Sequence, residues 1–213
     1  MLLTDLITEP QELIPHQYNK IKSPQYDAVI SKYLQTAPSV EHPVLIHMAG
    51  IPGSGKTTYY RTHDWPQHVF IAFDNIMEDL KEYQNDLKAF GAEIAFNKWE
   101  IPARIIGYEL LRLAVEQHKN IFFDNGGSSQ GHLELIKNIK KFGYTTAMYY
   151  IDCPLQVAIE RSIIREKEIN RHIPIETIED RFYKTINKIK QYQQIVDCFY
   201  HIDYSSTLAE KIA

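Results

Sequence analysis

The stretch HMAGIPGSGKTTYYR, residues 47–61, decides how the rest of the chain is read. An apolar run closes in a glycine, small and rigid residues follow, and the helix-compatible GKTTYYR resumes. Gly50, Ile51, Pro52, Gly53, Ser54, Gly55, Lys56 and Thr57 fit the pattern G-x-x-x-x-G-K-[ST], whose glycines let backbone N–H groups converge on phosphate oxygens. Lys56 is then placed to reach the β- and γ-phosphates of a nucleotide. The Thr57 hydroxyl is placed to ligate Mg²⁺, Thr58 completes the nucleotide-binding stretch, and the dipole of the helix opening here adds to the pull on anionic charge. The pattern carries this meaning only between a strand and a helix, and that is where it stands.

Outward from this loop, apolar runs alternate with stretches of helical spacing. PVLIHM (43–48), HVFIAF (68–73), NIFF (120–123), YTTAMYYI (144–151) and CFYHI (198–202) read as short buried strands. Helical stretches separate them: residues 55–63, 75–90, 101–118, 130–142, 154–169 and 175–196, with a further one at 23–34 before the first strand. Strand followed by helix, five times, implies an α/β fold: a five-stranded, mostly parallel sheet with helices on both faces. Residues 1–42 are expected to form an N-terminal helical segment packed on a domain spanning 43–213. Ligands of such sheets lie past the carboxyl ends of the strands, so the residues that follow each strand become candidates.

Two of those strands end in aspartate. FIAFD and NIFFD put Asp74 and Asp124 on the same rim as the phosphate loop. One can organise Mg²⁺, and the other can accept the proton of a hydroxyl that attacks the γ-phosphate. A lone strand-end aspartate can equally cap the next helix. Later in the chain, Arg161 and Arg165 stand four apart on one helical face, and Arg171 follows in a polar segment before Pro174. Guanidinium groups can stabilise the charge that spreads over a transferring phosphoryl group. Arg165 also fits a solvated face with internal Glu–Arg pairing.

With these motifs in order, the chain resembles the zeta-toxin family of P-loop kinases, with the chloramphenicol phosphotransferases related to it. The resemblance runs from about Pro43 to Tyr204. It implies that AFDNIMEDL is the catalytic element, with Asp74 as base, and that FFDNGGSS is the acidic turn after the third strand, with Asp124 assisting the metal. It also implies that Arg161 and Arg171 clamp the nucleotide phosphates. The implied activity is transfer of the γ-phosphate of ATP, with Mg²⁺, to a hydroxyl of a small molecule such as UDP-N-acetylglucosamine, and the implied protein partner is an antitoxin. Gly126 and Ser128 stand where the family has a threonine and an arginine, so the acceptor pocket departs from the pattern. The aromatic-rich stretch 82–100, with Tyr83, Phe90, Phe96 and Trp99, reads either as a lid or substrate wall or as a packed helical hairpin.

Composition narrows the alternatives. At 213 residues, 44% hydrophobic, the chain is sized for one soluble domain with a real core. A net charge of -4 without a Lys/Arg-rich stripe speaks against nucleic acid or an anionic membrane as the main partner, and against a polynucleotide 5′-hydroxyl kinase. A nucleotide-dependent switch stays open, because DNGG satisfies D-x-x-G, yet the guanine-reading N-K-x-D is missing and FNKWE is its nearest match. Cys153 and Cys198 suit a reducing compartment and buried thiols. Asp5 interrupts the apolar N-terminus, so a leader is not expected, and the expected location is the cytoplasm, with delivery into another cell left open.

Overall fold

The computed structural model describes residues 1–8, 24–169 and 173–204. The strands are β1 (Val44–Ala49), β2 (Val69–Ile71), β3 (Ile121–Asp124), β4 (Thr145–Asp152) and β5 (Cys198–Asp203). They form one sheet in the order β2-β3-β1-β4-β5. Every pairing is parallel. The strand bearing the phosphate loop is therefore central, and the β3 and β4 termini flank it.

Eight α-helices accompany the sheet among the described residues: α1 (Pro24–Leu34), α2 (Lys56–Arg61), α3 (Phe73–Glu78), α4 (Lys81–Phe90), α5 (Ala92–Glu116), α6 (Gln130–Ile139), α7 (Leu155–Ile169) and α8 (Ile175–Ile195). Side chains alternate across each strand, so the two faces have separate cores. On one face Leu45, Ala49, Ile121 and Phe123 pack with Ile106 and Leu110 of α5, Leu133 and Ile136 of α6, and Val29 of α1. On the other, Ile46, Met48, Phe122 and Ile151 lie beneath Tyr59 and Tyr60 of α2 and beneath Trp65. That second layer is largely aromatic: Tyr60 stacks on Trp65 at 6.1 Å, and Tyr149 stacks on Tyr200 at 4.5 Å. A third cluster joins Ile51 of the phosphate loop to Cys153, Ala158, Ile159 and Ile178. No helix of the described residues is long and apolar enough to cross a membrane.

Three local expectations change. The single helix expected over 75–90 is two, α3 and α4, with Leu80 extended between them as the N-cap of α4 and fully buried. Burial of Leu80 outweighs the gain from continuing the helix. The helix expected from Ile101 begins at Ala92 and runs through Pro102. Proline there removes one backbone donor, but Ala95, Ala103, Ile105 and Ile106 are buried on both sides of it, and that packing holds the helix together. The stretch 82–100 is thus the hairpin reading: α4 turns into α5 at Gly91 (φ 86°), Tyr83 is buried, and Trp99 Nε1 donates to Asp86 at 2.6 Å. Finally, only Cys153 is buried; Cys198, on the edge strand β5, is exposed.

Candidate functional site

The loop from Gly50 to Gly55 turns back over the carboxyl end of β1 through three positive φ angles: 150° at Gly50, 81° at Gly53 and 100° at Gly55. Gly53 is the most constrained. A Cβ there would lie 2.1 Å from the Ala158 carbonyl oxygen of α7 and 2.7 Å from Ser162 Oγ, so α7 presses directly on the loop. Gly55 caps α2 in the left-handed region and leaves the side-chain space to Tyr204, whose ring a Cβ would meet at 2.6 Å. Lys56 Nζ reaches back over the loop to the Gly50 carbonyl at 2.8 Å and the Ile51 carbonyl at 3.3 Å. The ammonium is thereby held at the mouth of the loop. Ser54 is fully buried within it and its Oγ has no hydrogen-bond partner in the protein. Thr57 and Thr58, in the first turn of α2, are exposed.

Asp124 is the last residue of β3 and pairs in register with Met48 of β1. By alternation its side chain shares the face of Phe122, the face that α2 covers, so it projects toward the side on which Thr57 lies. The turn behind it is tied to the phosphate loop and to α8. Asn125 N–H donates to the Met48 carbonyl at 3.1 Å, Gly50 N–H donates to the Gly126 carbonyl at 3.3 Å, and the Thr185 hydroxyl donates to the same carbonyl at 3.1 Å. Ser129 caps α6, so Asp124 does not.

Asp74 differs from the strand-end position expected for it. β2 stops at Ile71, Ala72 is the N-cap of α3, and Asp74 is the second residue of that helix, half-buried. It too is no helix cap. Phe73 fixes the helix start: its ring lies 5.1 Å from Tyr108 and 5.9 Å from Phe123, and it fills the space that a Cβ at Gly107 would take. Asp74 and Asp124 thus each follow an aromatic residue of one contact pair, Phe73 and Phe123.

Arg161, on α7, enters the site from the opposite side. Its Nη1 donates to Cys153 Sγ at 3.5 Å, and its guanidinium lies 5.6 Å from the centre of the Tyr204 ring. Burial pushes the Cys153 thiol up, and Arg161 opposes that shift. Arg165, one turn on, is exposed. Arg171 lies outside the described residues. The phosphate loop, Asp124 and Arg161 are therefore joined by contacts among neighbouring loops, and Asp74 joins through Phe73. Sequence reading missed Tyr204 and Thr185. Tyr204 follows β5 at the carboxyl edge of the sheet, which was a usable signal; nothing in the helical pattern of α8 marked Thr185.

The residues fit the donor and metal that the sequence implied. A glycine-lined loop with an orphaned buried hydroxyl and a lysine over its mouth suits phosphate oxygens. An exposed threonine hydroxyl and a carboxylate on the sheet face that α2 covers suit Mg²⁺, which keeps water and substrate phosphates as most of its ligands. No cluster of three or more His, Cys, Asp or Glu side chains that could cage a metal occurs among the described residues.

Solved structures share this fold. The toxin of the PezAT chromosomal toxin–antitoxin system of Streptococcus pneumoniae superposes with a TM-score of 0.69 at 15% identity, over 87% of this chain and 78% of that structure. The AvrRxo1-ORF1:-ORF2 structure with ATP gives 0.59 at 17% identity, over 78% of this chain and 55% of that one. A chain of the Pnkp1/Rnl/Hen1 RNA repair complex gives 0.53 at 18% identity, over 71% and 47%. No curated protein matches in sequence. These likenesses establish the fold, that of P-loop kinases. The Zeta toxin family matches residues 27–205, and the chain belongs to it.

Proposed function

We propose that this protein is a kinase that moves the γ-phosphate of ATP, with Mg²⁺, to a hydroxyl of a small molecule. The observation that carries the reading is the grouping of a glycine-built phosphate loop, its lysine and two non-capping aspartates at the carboxyl edge of one parallel sheet. Lys56 and the loop amides hold the donor phosphates, and Thr57 with Asp124 organises the metal. Asp74 accepts the proton of the attacking hydroxyl while the acceptor oxygen bonds to the γ-phosphorus and the bond to the β–γ bridging oxygen breaks. Arg161, together with Arg171, neutralises the charge on the transferring group.

The zeta-toxin membership supports a nucleotide sugar such as UDP-N-acetylglucosamine as acceptor and an antitoxin as partner; the known system matched here is a toxin–antitoxin pair. Gly126 and Ser128, in place of the family's threonine and arginine, mean that any diphosphate of the acceptor is read from another element. The test is incubation with γ-labelled ATP and a panel of nucleotide sugars, nucleosides and polyols. Label transferred to one of them supports the kinase. Tight GTP binding with no transfer to any acceptor supports the switch reading, and label on a 5′-hydroxyl oligonucleotide supports the polynucleotide kinase, a reading favoured only by the fold of the RNA repair complex.

A further inference from the structure

The layer between the sheet and helices α5, α6 and α8 is mainly hydrocarbon, and its buried Thr185 and Tyr144 hydroxyls donate to backbone carbonyls; one further polar group of side chains lies within it. There His47 of β1, Tyr108 of α5, His132 of α6 and Tyr192 of α8 meet, exposed by 1%, 2%, 4% and 0%. One hydrogen bond joins two of them, between Tyr108 Oη and His132 Nε2 at 2.9 Å. Nδ1 of His132 and the Tyr192 hydroxyl have no hydrogen-bond partner in the protein, and at His47 neither ring nitrogen has one of good geometry, the Asn125 backbone making only a loose contact that can serve one of the two. A neutral imidazole carries one donor and one acceptor, and a phenol can do both, so each of these atoms demands a partner. Buried polar groups in folded proteins are almost always satisfied, by protein or by ordered water.

The orphans adjoin one another. The His47 ring centre is 6.3 Å from that of His132 and 5.5 Å from that of Tyr192, with both pairs of rings inclined at 64°. Two imidazoles in direct hydrogen bond would bring their centres to about 5 Å, an N···N contact of about 3 Å plus two ring radii. The longer His47–His132 separation is too great for a direct hydrogen bond between the rings and is compatible with a bent bridge through one intervening oxygen. The turn after β3 closes the site from above: the backbone of Asn125 faces the His47 ring, and the Cβ position of Gly127 (φ 77°) is 3.8 Å from His47 Cε1.

We propose that ordered water binds here, bridging His47 to His132 and to Tyr192 beneath the turn that carries Asp124. The ligand class follows from the donor set: neutral, small, able to donate and accept at once, and enclosed by side chains with no exposed face. Water in this position links β1, α6 and α8 under the turn, in addition to the Gly126 carbonyl bonds above it.

The test is Tyr192→Phe, read by thermal unfolding, together with a high-resolution crystal structure of the unmodified protein. If water occupies the site, removing the hydroxyl takes away a hydrogen bond that it alone makes to that water, and Tm falls by a few degrees. The crystal should show solvent density within hydrogen-bond distance of His47, His132 and Tyr192. A Tm that is unchanged or raised, as expected when a dry orphan hydroxyl is deleted, overturns the proposal, and so does a site without density. Neither readout depends on phosphoryl transfer, so the outcome stands apart from the kinase reading.

Discussion

Acidification should destabilise this protein well above the range in which carboxylates titrate. His47 and His132 are enclosed so completely that burial holds each imidazole at about 3, against an ordinary value of 6.5. Charge reinforces this: Lys56 acts on His47, while His47 and Arg104 act on His132, with the Asn125 backbone alone favouring a charged His47. The neighbouring tyrosines, Tyr108 and Tyr192, are pushed up by burial and stay neutral. Both histidines thus have a folded pKa below the unfolded one. Their contribution is complete above about pH 6.5 and is lost as pH falls toward 3, because the unfolded chain binds protons that the folded one refuses. Each loses about 1.4 kcal/mol per pH unit in that window. From pH 6.5 to 5 the loss is about 2 kcal/mol per histidine and about 4 kcal/mol for the pair, a large share of a typical stability of about 5–15 kcal/mol. Carboxylates held low, such as Glu116 beside the N-terminal amine, titrate below this window. Urea unfolding followed by tryptophan fluorescence at pH 7.5 and 5.0 measures the loss. His132→Gln, which cannot take up a proton, should remove about half of what the pair contributes, His68, also lowered by burial, adding to the total in both proteins. Equal stability at the two pH values, or the same loss in the variant, refutes the reasoning.

Lys56→Ala should abolish phosphoryl transfer while leaving the circular dichroism and Tm nearly unchanged, because the side chain bonds to two loop carbonyls at the rim and takes no part in the core. Asp74→Asn should keep ATP binding, measured by fluorescence titration, while product formation slows by about a hundredfold to ten-thousandfold; loss of Mg²⁺-dependent ATP affinity with transfer retained would move the base to Asp124. Arg161→Ala should lower kcat more than it raises the ATP KM, and a change in KM alone would leave it a ground-state contact. Gly53→Ala should cost ATP affinity and at least about 1–2 kcal/mol of stability, measured by denaturant unfolding. There a Cβ must fit a left-handed φ and a carbonyl at 2.1 Å; wild-type stability would show that α7 yields.

By itself the sequence determined the alternation of five strands with helices, the parallel sheet that follows from it, and the phosphate loop. These are encoded by neighbours along the chain: apolar runs of strand length, helical spacing, and glycines where φ must be positive. Local encoding failed where burial competed with propensity. Leu80 breaks a continuous helical pattern because its side chain is drawn into the core, and Pro102 fails to break one because the residues on both sides of it are buried. Asp74 looked like the end of a strand, but β2 stops at Ile71 and the helix begins before it. Only tertiary structure decided that Tyr204 lies against Gly55 and Arg161, that Thr185 holds the Gly126 carbonyl, and that His47, Tyr108, His132 and Tyr192 share one enclosed place. Those residues come from elements far apart in the chain, on strands and helices whose own patterns read as ordinary core. Periodicity fixes which face of an element a side chain occupies, whereas its partner there depends on how separate elements pack, and no spacing within one element records that.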